Sequence, residues 1–248
     1  MVKRLLILLP ILTLALRAAD FNDVVLQATA AMPSGGGYSV STSAHEALSS
    51  AARIDLSGLR ILANRAVPSY CSGATYLVFL KTLGELQKRG TIRLDRTTWA
   101  GLLPRKAADG EGVWGRWNAN GPGTPRLFYE LGLGRNFSDF REARPGDFMK
   151  IFWTDEVGCA ERGHSVVFLG VENRDGEEWV RFWSSNKPNG YGEKSVPRTK
   201  IARAIFSRLE HPEKISEIRA LPPKDPYLAG LLSKRSSFAE AARMCAIR

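Results

Sequence analysis

Apolar positions recur three apart between residues 71 and 89, where Ala74, Leu77, Leu80 and Leu83 share one side of a helical wheel. Lys88 and Arg89 suit the negative end of such a helix and Gly90 stops it, so the pattern predicts a helix that opens at Cys71. Residues 22–32 and 45–65 also read as helices, separated by a flexible stretch, 33–43, in which Gly35, Gly36 and Gly37 break any period. From 91 to 146 the chain turns irregular and rich in Gly, Trp and Asn, with one short helix expected over 125–131. The character then changes. Residues 147–153, 164–171 and 178–184 are β-type runs of Val, Phe, Ile and Trp, the last two joined by the turn Asn173-Arg174-Asp175-Gly176. Helical patterns return at 198–209 and 237–244 beyond a Pro-rich link at 221–226. Helices first and an antiparallel meander second predict one domain of the α+β class.

Composition narrows the field. With 24% charged and 44% hydrophobic residues the chain sits near the globular average, which excludes disordered, collagen-like and coiled-coil classes. The first 19 residues carry Lys3 and Arg4, then an apolar run from Leu5 to Leu16, then Ala18 and Ala19, a pattern that predicts an export signal. The run falls short of the roughly 20 residues that span a bilayer, so no stable membrane span is expected. The net charge is +10, and loss of the leader with Lys3, Arg4 and Arg17 leaves +7. That balance favours an anionic partner. Nucleic acid is not expected, because no helix-turn-helix, zinc finger or aromatic RNA-binding motif is present.

Candidate chemistry begins at Cys71. Pro68 and Ser69 disfavour helix before it, so the thiol falls in the first turn, where unpaired N–H groups and the helix dipole favour a thiolate. A small buried residue is the competing reading, since free cysteine is often core. His164 stands at the start of a largely apolar strand, at a sheet rim where a base can face a cleft and still be held rigidly. His45 and His211 lie in polar settings and read as ordinary exposed residues. No Cys/His cluster has zinc-ligand spacing.

Three local motifs, in this order, resemble the NlpC-type cell-wall cysteine peptidases and the related CHAP amidases. They are Cys71-Ser72-Gly73 at a helix start, Arg144-Pro145-Gly146-Asp147-Phe148 as a turn into a strand, and Gly163-His164 through Leu169-Gly170. The resemblance covers roughly 71–186 and implies a papain-like fold over 20–248, with an inserted loop region at about 91–143. It also implies Cys71 as nucleophile and His164 as base. Tyr70 stands where these families often carry Asp, and Cys71 and His164 are farther apart than in compact members. The family's third residue would fall near Trp183, whose indole only donates, so the role moves to Asn186, whose carbonyl can accept from the histidine Nδ1–H; Ser184 is the weaker alternative. Tyr70, Ser72 and Ser184, with Trp117, Asn118 and Asn120 of the Gly- and Asn-rich loop, are candidate substrate contacts; the loop's tryptophans can equally pack into the core.

These features imply an exported monomeric hydrolase that cuts amide bonds in peptidoglycan or another anionic wall polymer, with no metal or organic cofactor, and leave room for a protein inhibitor as partner. A non-catalytic wall-binding module and an acyltransferase or transglutaminase-like enzyme are the alternatives. Cys159 and Cys245 are either bridged to each other or remain two separate thiols.

Overall fold

The computed structural model describes residues 21–55 and 58–247. The export signal expected at 1–19 lies outside them. Among the described residues no helix is long and apolar enough to cross a membrane.

The chain begins with α1 (Asn22–Ala30), the two-residue strand β1 (Gly35–Gly36) and α2 (Thr42–Ala51), followed by the hairpin β2 (Ala52–Asp55) and β3 (Gly58–Ile61). Residues 45–65 are therefore not one helix. Ser41 Oγ caps α2 from Ala44 N–H, which moves the start forward, while Gly58 takes φ +112, a conformation no helix contains. The long helix α3 (Cys71–Lys88) begins and ends where its apolar spacing and Gly90 place it.

The helix expected over 125–131 is present, but the rest of 91–143 is not the expected loop. The stretch holds α4 (Arg96–Leu102), α5 (Gly112–Trp117), α6 (Gly123–Leu131) and β4 (Gly134–Phe137), and it buries Trp99, Trp114 and Trp117. Arg116 is fully buried at its centre, pairing with Glu130 at 2.7 Å and donating to the carbonyl oxygens of Gly110, Gly112 and Pro222. A side chain with five donors thus satisfies backbone that short helices leave unpaired.

Strands β5 (Phe148–Phe152), β6 (Val157–Gly158), β7 (Gly163–Arg174), β8 (Glu177–Asn186), β9 (Gly190–Pro197) and β10 (Arg203–Leu209) follow, and the chain closes with α7 (Pro226–Gly230), β11 (Arg235–Ser236) and α8 (Phe238–Met244). Seven strands form one antiparallel sheet in the order β1-β9-β8-β7-β5-β10-β4. The expected helix at 198–209 is instead a 3-10 turn and the strand β10, which lies between β5 and the edge strand β4. Residues Ala204–Leu209 are buried throughout, including Ser207 and Arg208, so no exposed face alternates with a buried one and a short run of that kind does not separate strand from helix by period. The sheet carries an apolar core on each face. Phe148, Val167 and Trp183 join α3 and the tryptophans in one core, while Met149, Ile151, Val166, Phe168 and Phe182 form a second core on the opposite face. The class is α+β with an antiparallel sheet.

The turn before β5 is tied down by charge. Arg208 on β10 grips Asp147 with two hydrogen bonds of 2.8 and 2.7 Å, and the pair is almost completely buried. Asp147 also accepts from Asn22 Nδ2 at 2.9 Å and from the Arg144 N–H at 2.8 Å. Gly146 takes φ +95 there, and a Cβ would lie 2.6 Å from the Asn22 carbonyl oxygen. Replacing Asp147 by Ala leaves a buried guanidinium without its carboxylate, and is expected to cost about 3–5 kcal/mol of stability in urea unfolding.

Candidate active site

The start of α3 is built before the helix begins. Ser69 N–H donates to Gly37 O and Ser39 N–H to Ser69 O, which lays residues 37–39 beside the entry to the helix. Ser69 Oγ donates to Ser185 Oγ at 2.8 Å and so fastens that entry to the end of β8. Tyr70 is buried, with its hydroxyl 2.7 Å from His45 Nδ1. A Cβ on Gly73 would come within 3.3 Å of the Tyr70 ring and 3.1 Å of Leu48, which accounts for the small residue two positions after the cysteine.

These contacts leave Cys71 partly exposed at the first helical position. His164, the second residue of β7, stands beside its thiol and acts on it electrostatically. The imidazole lies between the Trp153 ring, stacked at 6.3 Å between centroids, and the Phe182 ring at 5.7 Å. Its Nε2 is 3.1 Å from Asn186 Oδ1. The Asn186 amide cannot turn freely, because its Nδ2 donates to Gly192 O at 2.8 Å and to Ser184 O at 3.3 Å. Oδ1 therefore accepts, the proton sits on Nε2, and Nδ1 is the nitrogen left for sulfur. The expected contact through Nδ1–H is corrected to Nε2.

The electrostatics oppose burial. Desolvation pushes the Cys71 thiol up, but the hydrogen bond and charge of His164, the Ser165 N–H and the charge of Lys150 outweigh it and bring the thiol from 9.0 down to about 6. Lys150 is itself paired with Glu161. Tyr38 also neighbours the cysteine, and burial followed by the charge of the thiolate pushes its phenol up, so the hydroxyl stays protonated. Tyr38, Trp153, His164 and Asn186 line a cleft of about 570 Å³, rimmed by Arg162, Lys187 and Lys194.

The structure thus brings Cys71, His164 and Asn186 together and sorts the remaining candidates. Trp117 is buried, stacked on Phe79 at 4.9 Å, with its Nε1 donating to Thr75 Oγ1; it cannot touch a substrate. Tyr70 is likewise enclosed. Ser184 is fully buried and donates to Ser165 O at 2.7 Å, holding the peptide unit beside the one whose N–H meets the thiol. Ser72 Oγ donates to Asn118 Oδ1 at 2.7 Å, a link between α3 and the end of α5, and Asn120 gives its backbone N–H to Asp109; neither Asn118 nor Asn120 lines the cleft. All three cysteines are free, Cys159 exposed and Cys245 buried, with burial pushing the Cys245 thiol up to about 12. Among the described residues no group of three His, Cys, Asp or Glu side chains is arranged to hold a metal ion.

Sequence reasoning missed Tyr38 and Lys150. Lys150 had a readable signal, a lone charge in the otherwise apolar run Phe148-Met149-Lys150-Ile151-Phe152. Tyr38 had none, because it lies in a glycine-rich segment whose course is set by partners distant in sequence.

Iodoacetamide should alkylate Cys71 with a midpoint near pH 6, the rate rising with pH as thiolate forms. His164→Ala removes both of its lowering contributions and should move the midpoint up, with Lys150→Met moving it up by a smaller step; an unshifted midpoint in both variants would contradict the assigned contacts. The chain matches no protein-family model, no curated protein and no solved structure.

Proposed function

We propose that the protein is an exported cysteine hydrolase with a papain-like, NlpC-type arrangement that cleaves amide bonds in peptidoglycan. The observation that carries this reading is the meeting of Cys71, His164 and Asn186, delivered by the start of one helix, the start of one strand and the end of the next. Triads are recognised by geometry and role, and this one has the nucleophile, base and orienting amide in sequence.

The chemistry follows from the groups. The Cys71 thiolate adds to the amide carbonyl carbon, and the first-turn N–H groups of α3, which have no intrahelical acceptor, face the developing oxyanion. His164, carrying a proton on Nδ1 as imidazolium, gives it to the leaving amine as the C–N bond breaks. The thioester that remains is opened by a water whose proton returns to His164, and the acid leaves with Cys71 restored. Asn186 holds the ring in one orientation through both half-reactions. Arg162, Lys187 and Lys194 around the cleft favour a substrate bearing carboxylates, as wall peptides do. Lys187 lies 5.3 Å from the centre of the Tyr38 ring, which steadies one of these charges at the mouth.

Mature protein incubated with isolated peptidoglycan should release fragments with new amino and carboxyl ends, read by mass spectrometry, and Cys71→Ala should release none. Asn186→Ala removes one hydrogen bond to a group that becomes charged, worth about 1.5–3 kcal/mol, so turnover should fall by roughly 10- to 100-fold. Undiminished turnover in Cys71→Ala would overturn the reading.

A further inference from the structure

A second concavity, of about 410 Å³, is lined by Pro33 and by residues of the β2–β3 hairpin. Its cations come from separate elements: Arg53 on β2, Arg60 on β3, Arg65 from the turn after the hairpin and Lys81 on α3. No carboxylate lines it. Elsewhere the surface arginines are commonly neutralised, as in Arg89–Glu85, Arg174–Glu172, Arg203–Asp155 and Arg235–Glu156. Arg53, Arg60 and Arg65 have no such partner among the described residues.

Their placement is unfavourable for the isolated chain. Arg53 and Arg60 stand directly opposite each other in the antiparallel register of β2 and β3, where like charges repel. Lys81 donates its Nζ to Ala31 O, and burial followed by the charge of Lys88 holds its ammonium below the usual lysine range. An anion seated among these groups would relieve the repulsion.

The concavity is also close to the cleft. Pro33 lines the first and Tyr38 the second, and five residues of even fully extended chain place them at most about 18 Å apart. A polymer is long enough to occupy both.

We propose that this groove is an anion-binding subsite for a carboxylate-bearing polymer whose chain also enters the cleft lined by His164 and Asn186, an assignment that rests on the hydrolase reading only for the polymer being shared. The guanidinium forks of Arg53 and Arg60 match carboxylates bidentately. Several such contacts along one chain would add avidity to a shallow cleft without altering the chemistry at sulfur.

The test uses full-length mature protein carrying Cys71→Ala, so binding is read without turnover. Labelled poly-glutamate and an oligothymidylate of equal charge are titrated by fluorescence anisotropy over a range of salt. Arg53→Ser with Arg60→Ser should weaken poly-glutamate binding by about fivefold or more and lower the salt slope by about two. The same variant should melt no lower than its parent, because a repulsion has been removed. Arg65→Ser, which lies outside the hairpin, should weaken binding with no effect on strand pairing. Poly-glutamate affinity unchanged in both variants overturns the subsite. Tighter binding of oligothymidylate through the same arginines overturns the carboxylate assignment and points to nucleic acid. Failure of the wild-type protein to cleave any wall substrate would remove the catalytic reading and leave the binding result standing.

Discussion

Asp147 and Arg208 form an ion pair with almost no water around it, and the architecture near the cleft hangs on keeping that pair satisfied. A carboxylate taken out of water costs several kcal/mol unless its lone pairs are filled, and here they are filled from β10, α1 and its own turn. The turn therefore has one acceptable course. It sends β5 beside β7, and that register places Lys150 opposite Ser165 and Ile151 opposite His164. The position of the imidazole is in this sense set from the far end of the strand.

At the cleft the same physics runs in the other direction. Burial works against a thiolate, and an imidazole, a backbone N–H and a lysine together reverse it, the imidazole contributing most. The Lys150–Glu161 pair is the least visible member, since Glu161 tempers the charge that Lys150 projects toward sulfur. A lysine without that carboxylate would press harder on the thiol, and a methionine would not press at all.

How much of this was legible in the sequence depended on whether the signal was local. The helix from Cys71 to Lys88 announced itself by period and by its stop, and the β5, β7 and β8 runs by their residue types. The placement of Asn186 beside His164 followed from asking which side chain could accept a hydrogen bond at the end of the adjoining strand. What failed was decided by tertiary partners. Strand β10 looks helical because both its faces are buried, and β9, with Gly190, Gly192, Glu193 and Lys194, has little apolar content and exists because β8 pairs along its whole length. The tryptophans of 99–117 were drawn toward a groove by their type, but Tyr76, Phe79 and Phe128 give them a core to enter.

The two ends of the main sheet bear on how the chain behaves in a crowded solution. On one side β1 covers only Gly190 and Tyr191 of β9, and the remainder of β9 carries the exposed charges of Glu193 and Lys194 before ending at Pro197, which has no N–H to offer. On the other side β4 is four residues long, with Arg135 exposed in its middle. An intruding strand would meet charge, a missing donor and a short ladder at either border. Sheet growth from one molecule to the next, the first step toward aggregation, is thus discouraged by the same polar residues that made these two strands hard to read.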